Sequence, residues 1–174
     1  MSWFKAAALC LLLAACGFQP RGAATLPFEN LYVEAPRGSV FAAQLKRVVS
    51  TGSKTRIASR PEEADATLQV MNEFREKEIL SLSAGGRVRE FQLRYRLQYQ
   101  VYDKQKNLIA EPGEIVLRRD FSFDDQAQLS KEGEEALLYR DMQNDAVHQL
   151  VRRLQAVANA KVNGNGGAKT EGKL

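Results

Sequence analysis

The sequence contains very few of the side chains that perform enzyme chemistry. Its 174 residues include one histidine and two cysteines, and both cysteines lie in the first 16 residues. Cys10 sits inside an apolar leader and Cys16 directly follows it, so a catalytic thiol, a zinc site and an internal disulfide all lack their ligands. His148 falls beside the apolar stripe of a predicted helix, the position of a surface or boundary histidine. We therefore expect a protein that is not an enzyme and that uses no metal and no cofactor.

Acidic side chains are the remaining candidates for metal or acid–base chemistry. They gather at Asp124 and Asp125 and at Glu132, Glu134 and Glu135. These positions surround the predicted start of a helix, where carboxylates are favoured for structural reasons, and we prefer that interpretation. A glycine-rich phosphate loop is also missing, since residues 85–86, Gly-Gly, separate two predicted strands and are typical of a hairpin.

Positive charge is neither abundant nor concentrated. The chain has 25 Lys and Arg against 21 Asp and Glu, spread along its length. Nucleic-acid-binding proteins usually gather basic residues on one face, so we expect no nucleic-acid partner. Tyr95 and Tyr99 fall on an apolar strand face, which indicates core residues rather than a stacking platform for bases.

The longest apolar run lies at the N-terminus and is short. Residues 6–15 follow Lys5 and are too few to span a bilayer, as in the apolar region of a signal peptide. Residues 13–17, Leu-Ala-Ala-Cys-Gly, end this run like a bacterial lipobox. We therefore expect a signal peptide at 1–15 and a lipid anchor on Cys16. An ordinary secretory signal or an uncleaved helix is the alternative, but neither requires a cysteine at this boundary.

The residues after the lipobox resemble a known family. Residues 16–22, Cys-Gly-Phe-Gln-Pro-Arg-Gly, resemble the N-terminus of the LptE family of lipopolysaccharide-assembly lipoproteins, with Pro20 in place of the usual apolar residue. The order of predicted elements out to about Val157 resembles the family too. The resemblance implies a non-catalytic protein, anchored in the outer membrane by an acylated cysteine, that plugs an LptD-type β-barrel and binds lipopolysaccharide. Position 17 is glycine and not the aspartate that retains enteric lipoproteins in the inner membrane, which also favours the outer membrane.

Hydrophobic periodicity predicts the fold. A strand at 31–33 and a helix from the N-cap Ser39 to Ser50 precede a segment from Ala66 with period two. That segment is predicted to bury Ala66, Leu68, Val70, Phe74, Leu80 and Leu82, to turn Glu73, Arg75 and Lys77 outward, and to bulge near Ile79. Further strands at 90–101 and 108–123, the latter interrupted at Pro112, are followed by a polar loop at 124–131 and a helix to Ala160.

These elements predict an α+β fold, a two-layer sandwich. Two helices pack on one face of a mostly antiparallel, mixed sheet of about four strands. The predicted organisation is a lipidated N-terminus and linker at 16–27, a domain at 28–158 and a disordered tail at 159–174.

Two surfaces are candidate sites. The polar alternation of the central strand places Arg94, Arg96 and Gln98 on the sheet face without helices, which is either solvated or covered by the barrel partner. Strand direction brings Arg87, Arg89 and Lys131 to one end of the sheet, where they are candidates for binding lipopolysaccharide phosphates. The competing hypothesis is a scaffold lipoprotein of another envelope complex that binds only protein.

Overall fold

The computed structural model describes residues 26–166. The predicted signal peptide, the lipid-anchor residue Cys16 and residues 167–174 of the predicted tail lie outside the described residues. The linker predicted at 16–27 is described only at its last two residues.

Five strands form one mixed sheet. They are β1 (Asn30–Glu34), β2 (Arg56–Ile57), β3 (Ala66–Leu82), β4 (Val88–Asp103) and β5 (Leu108–Ser122), in the spatial order β2-β1-β3-β4-β5. β1 runs parallel to β2 and β3, whereas β3, β4 and β5 form an antiparallel meander. β1 pairs only with the first residues of β3, so the long β3–β4 hairpin extends well beyond β1.

Two helices cover one face of this sheet. α1 (Val40–Gly52) begins at its N-cap Ser39, whose Oγ accepts a hydrogen bond from the Ala42 N–H at 3.1 Å. α2 (Gln128–Gly166) packs against β4, β5 and α1. The core between the layers buries strand and helix side chains, the largest of them Tyr95, Phe41, Leu31, Leu45, Leu68, Leu93, Leu97, Ile115, Met142 and Leu150. The predicted α+β sandwich is confirmed, and the fifth strand is a two-residue pairing too brief to recognise in the sequence.

The second helix begins earlier and ends later than predicted. A 3-10 turn (Asp125–Ala127) leads directly into α2 at Gln128, so the predicted polar loop at 124–131 is partly helical. The helix then continues past Ala160 to Gly166, because a helix anchored by a buried stripe extends at one new hydrogen bond per residue.

This earlier start changes the role of the helix glutamates. They stand beyond the first turn of α2, where the effect of the helix dipole has largely decayed. Glu135 instead pairs with Lys77 of β3 at 2.6 Å, and Glu134 pairs with Lys131 at 2.8 Å. The explanation of these carboxylates by the dipole was therefore wrong.

An extra residue in β3 reverses which of its side chains face the helices. Val70 pairs with Tyr99 and Asn72 with Gln98, which leaves Met71 as a bulge. Beyond it, Glu73 lies opposite the buried Leu97. The predictions that Phe74 is buried and that Glu73, Arg75 and Lys77 face outward were therefore wrong, and Phe74 is 46% exposed. The bulge predicted near Ile79 is confirmed by a register shift between Ile79 and Ser81.

Glu73 consequently joins four elements on the helix side of the sheet. Its Oε1 accepts hydrogen bonds from the Tyr95 hydroxyl of β4 and the Gln143 amide of α2, each at 2.9 Å. Its Oε2 accepts a bond of 3.3 Å from Ser39, the cap of α1. The carboxylate thus connects both helices to the two central strands.

The strand predicted to be interrupted at Pro112 does contain a bulge there. Tyr99 pairs with Gly113 and Val101 with Ala110, so Glu111 and Pro112 together oppose one residue of β4. The Tyr99 ring lies directly against Gly113, where an added Cβ atom would overlap the ring. Gly113 is required because any side chain there would displace the buried Tyr99 ring.

The buried Tyr95 gives stability a distinctive dependence on alkaline pH. Burial raises the pKa of its phenol well above the usual value, and the neighbouring Glu73 carboxylate raises it further. The folded chain therefore keeps a proton that the unfolded chain loses, so the free energy of unfolding should fall as the pH rises above about 10.

We expect the free energy of unfolding of Tyr95→Phe to fall less steeply above about pH 10 than that of the wild type. At neutral pH the variant should be less stable than the wild type. Urea titrations from about pH 9 to about pH 11 measure the slopes, since tyrosine titrates near 10. Tyr102→Phe controls for removing a tyrosine hydroxyl from β4. Equal slopes for wild type and Tyr95→Phe would show that Tyr95 does not cause the loss of stability at alkaline pH.

Candidate functional site

Arg94, Arg96 and Gln98 lie on the sheet face without helices, here termed the open face. They alternate along β4 with the buried Leu93, Tyr95 and Leu97. This agrees with the placement predicted from the sequence.

The open-face arginines are held by carboxylates on both neighbouring strands. Arg94 pairs with Glu76 at 3.3 Å and with Glu78 at 3.2 Å. Arg96 approaches the same Glu76 at 3.7 Å and Glu114 of β5 at 3.8 Å. The pattern of the sequence showed the cations but not these partners, because the register of β3 depends on the bulge at Met71.

Amide side chains extend this polar network across the open face. Gln98 accepts a hydrogen bond from Asn72 at 2.9 Å and donates one to Glu114 at 3.0 Å. Gln100 donates to Gln69 at 2.6 Å. Because these side chains are already ordered, binding a partner on this face would cost little of their conformational entropy.

The tip of the β3–β4 hairpin carries the second set of candidate residues. Gly86, with φ of 75°, closes the turn, and its N–H donates to the Ser83 carbonyl at 2.9 Å. Arg87 and Arg89 follow and are exposed. Among residues 26–166, no carboxylate lies within ion-pair distance of either guanidinium.

Lys131 comes from α2 to the same end of the sheet. Its Nζ donates to the Ser122 hydroxyl at 3.2 Å, and the next residue, Phe123, donates its N–H to the Arg89 carbonyl at 2.7 Å. The Lys131 side chain is only 18% exposed and is paired with Glu134. The structure therefore brings the predicted trio together, with two free arginines and one lysine that is partly engaged.

Exposed apolar side chains accompany the cations at the tip. Ile79, Leu80 and Leu82 are 58%, 48% and 56% exposed, so the prediction that Leu80 and Leu82 are buried was wrong. The helices do not extend over the tip, which leaves these residues without a covering layer. The tip therefore combines guanidinium groups with apolar surface.

A lysine that the sequence analysis missed fixes α2 to the hairpin. The Lys77 ammonium lies 4.2 Å from the centroid of the Phe91 ring, with Phe121 and Phe123 at 5.5 and 5.7 Å, and pairs with Glu135. The alternation of the sequence turned Lys77 away from the helices, because the bulge that reverses the facing of β3 has no local signal. These contacts position Lys131 relative to the tip.

The described residues offer little for catalysis. Within 26–166 no three His, Cys, Asp or Glu side chains are grouped closely enough to hold a metal ion, and His148 is exposed. Neither helix in this part of the chain is long and apolar enough to cross a membrane.

Comparison with known sequences gives one consistent family. Residues 28–154 match the family model described as LptE: Lipopolysaccharide-assembly. The chain is 28% identical over 156 residues to the LPS-assembly lipoprotein LptE of Yersinia pestis (strain Pestoides F), covering 87% of this chain and 74% of that protein. The LPS-assembly lipoprotein LptE of Yersinia pseudotuberculosis serotype O:1b (strain IP 31758) gives the same values.

Solved structures share the fold. The solution NMR structure of lipoprotein B from Nitrosomonas europaea is 41% identical, with a TM-score of 0.73 over 85% of this chain and 96% of that one. The crystal structure of the rare lipoprotein B from Shewanella oneidensis is 24% identical, with a TM-score of 0.64 over 78% of this chain and 98% of that one. The second of these supports the fold alone.

Proposed function

Because the chain belongs to the LptE family of lipopolysaccharide-assembly lipoproteins, we propose that its hairpin tip binds lipopolysaccharide while its open face contacts the LptD β-barrel. The chain is thus a non-catalytic lipoprotein of the outer membrane and a partner of LptD in the insertion of lipopolysaccharide. Family membership sets aside the alternative of a scaffold for an unrelated envelope complex.

The unpaired arginines at the tip carry the first half of the proposal. Lipid A and the inner-core sugars bear phosphates and carboxylates, which a guanidinium group binds through two parallel hydrogen bonds. Arg87 and Arg89 are exposed and free of carboxylate partners within the described chain, and Lys131 stands beside them. The neighbouring Leu80 and Leu82 offer apolar surface that suits acyl chains.

We expect Arg87→Glu combined with Arg89→Glu to weaken binding to purified lipopolysaccharide by about 10- to 100-fold, since a hydrogen bond to a charged group contributes about 1.5–3 kcal/mol. Lys131→Gln should add a smaller loss because its ammonium is partly engaged by Glu134. Titration with fluorescent lipopolysaccharide measures the dissociation constants.

The matched control for this experiment reverses two exposed cations away from the tip, Arg37→Glu and Arg118→Glu. It changes the net charge by the same amount, so a general electrostatic effect would weaken binding in both variants. Binding that survives the tip substitutions would locate the lipopolysaccharide site elsewhere, and melting temperatures establish that each variant is folded.

The ordered polar network carries the second half of the proposal, the barrel contact. Reversing Arg94 or Arg96 to glutamate would place like charges beside Glu76 and Glu114 and destabilise the fold itself, so neutral substitutions give the cleaner test. We expect Arg94→Gln with Arg96→Gln to reduce recovery of the barrel from detergent-solubilised outer membrane several-fold, because polar groups on the barrel wall lose their charged partners.

Arg140→Gln with Arg152→Gln is the control for barrel recovery, since both residues are exposed cations of α2, on the opposite side of the sheet from the open face. Equal recovery with the open-face variant and the wild type would mean that this face is solvated in the complex. In that case the barrel contact has to be sought on another surface of the chain.

A further inference from the structure

A cleft of about 610 Å³ lies on the open face at the end of the sheet opposite the hairpin tip. Its floor is one cross-strand row, in which Tyr32 of β1 pairs with Thr67 of β3 and Thr67 pairs with Tyr102 of β4. Adjacent strands are about 4.8 Å apart, so the two tyrosines stand about 10 Å apart with the smaller threonine between them. The row therefore forms a slot with an aromatic side chain on each side.

The three hydroxyl groups of this row are not engaged by other described protein groups. Within residues 26–166, none of Tyr32, Thr67 and Tyr102 makes a side-chain hydrogen bond, although all three are half-buried. Half-buried hydroxyls usually find partners in the protein or in ordered water. The slot thus presents donors and acceptors to whatever occupies it.

Opposite charges stand at the two ends of the slot. Glu34 lies two residues further along β1, beside Gln69, which donates to its carboxylate at 3.2 Å. The exposed Lys104 and Lys106 line the other end, in the turn between β4 and β5. Neither ammonium pairs with a carboxylate in the described part of the chain. Asp103 lines the same end as the lysines, where its carboxylate accepts hydrogen bonds from backbone N–H groups of the turn. With two lysines and one aspartate this end keeps a net positive charge, so the cleft is polarised along the strand direction.

Lys106 adopts a backbone conformation that does not suit a lysine. Its φ of 64° makes it the one residue other than glycine with a positive φ among those described. Asp103, which also lines the cleft, shapes this turn by accepting hydrogen bonds from the backbone N–H groups of Gln105 and Asn107. Glycine or asparagine fits such a position with less strain. Such outliers cluster at functional sites, which makes the Lys106 side chain a candidate for a role in binding.

We propose that this cleft binds a small zwitterion with an ammonium group a few bonds from a phosphate, such as phosphoethanolamine, either free or as a lipid headgroup. The ammonium would lie against the tyrosine rings near the carboxylate of Glu34, since aromatic faces attract cations. The phosphate would lie between Lys104 and Lys106, which act as point charges. Glu34 and the lysines lie on opposite sides of the tyrosine row, as this ligand requires.

The position of the cleft is compatible with a lipid headgroup as the source. Leu26 begins the described chain at this same end of the sheet and follows Cys16 by ten residues. Such a segment reaches at most about 35 Å, so an acylated Cys16 would keep the cleft near the membrane surface.

Titration of the mature chain carrying Cys16→Ala, which has no acyl anchor, tests the proposal. The probes are phosphoethanolamine, ethyl phosphate, which lacks the ammonium, and ethanolamine, which lacks the phosphate. We expect phosphoethanolamine to bind at least about tenfold more tightly than either fragment, with amide chemical shifts moving around Thr67 and Tyr102. Equal affinity for ethyl phosphate would indicate an adventitious anion only, and no saturable binding would also overturn the proposal.

Two substitutions test the two ends of the cleft separately. Glu34→Gln should abolish the preference over ethyl phosphate, and Lys106→Gly should abolish the preference over ethanolamine. Lys106→Gly should also leave the melting temperature unchanged or raise it, because glycine relieves the strained φ. The control is Lys54→Gly, an exposed lysine outside the cleft. Retention of both preferences in the two variants would place any binding elsewhere.

A vesicle experiment distinguishes the two sources of the ligand. Flotation compares vesicles of phosphatidylglycerol with vesicles of phosphatidylglycerol and phosphatidylethanolamine, with and without free phosphoethanolamine as competitor. Competitor-sensitive binding to the mixed vesicles would support the lipid headgroup. Equal flotation with both vesicles, beside specific binding of free phosphoethanolamine, would support the soluble ester.

Discussion

In cells depleted of the barrel partner, Cys16→Ala should release the chain from the outer membrane into the soluble periplasmic fraction. The expected anchor carries several acyl chains on Cys16, and each buried methylene group contributes about 0.8 kcal/mol to membrane binding. A single chain binds only marginally, whereas two or more hold a protein durably. Loss of the cysteine removes all of them together, so the expected change is from almost complete retention to almost none.

Three measures make the anchoring experiment specific. The leader at 1–15 must be replaced by a secretory signal that an ordinary signal peptidase cleaves, since an unprocessed leader could itself retain the chain. Cys10→Ala with the native leader should remain in the outer-membrane fraction, because Cys10 lies in the predicted signal peptide and would be removed with it. Fractionation in cells depleted of the barrel partner excludes retention through the complex. If the Cys16→Ala chain still sediments with the outer membrane there, Cys16 is not the anchor.

Glu73→Ala should destabilise the fold by about 2–4 kcal/mol. The substitution leaves the Tyr95 hydroxyl and the Gln143 amide without their acceptor, and Gln143 is 3% exposed. An unsatisfied buried group costs about 1–3 kcal/mol, and two such groups are created. The cap of α1 also loses the contact between Ser39 and Glu73. Urea denaturation measures the change in the free energy of unfolding.

Glu78→Ala is the matched control, since it removes a carboxylate from the same strand. Glu78 pairs with Arg94 on the open face and its side chain is 54% exposed, so its loss should cost less than about 1 kcal/mol. Similar losses in the two variants would show that the Glu73 cluster does not stabilise the fold as argued.

The sequence predicted the architecture well where the alternation was uninterrupted. From Phe91 to Val101 every second residue of β4 is apolar, which placed the open face, its arginines and the direction of the neighbouring strands correctly. Ser39 likewise identified the start of α1 through its capping side chain. In both cases the interaction that determines the local structure lies within a few residues of the sequence pattern that predicts it.

β3 was misread because its register is set by a distant strand. The bulge at Met71 follows from pairing with β4, more than 25 residues away, and no local signal marks it. A change of phase after Val70 places Asn72, Glu76 and Glu78 together on the open face, which uninterrupted alternation does not predict. Glu73 and Lys77 were misplaced for the same reason.

The candidate tip site was predicted from strand direction, whereas the environment of each cation was not. Direction alone brings Arg87, Arg89 and Lys131 to one end of the sheet, and the structure agrees. The partial engagement of Lys131 depends on where α2 begins, which the sequence placed too late.

The bulge of β5 bears on how the chain avoids aggregation. β5 is a terminal strand of the sheet, and an exposed strand edge invites strand addition by other chains. Pro112 has no N–H to offer there, the bulge interrupts the regular ladder, and Arg153 of α2 occupies the Glu114 carbonyl at 2.7 Å. These features make the β5 edge a poor template for strand addition by any other chain that presents an unpaired strand.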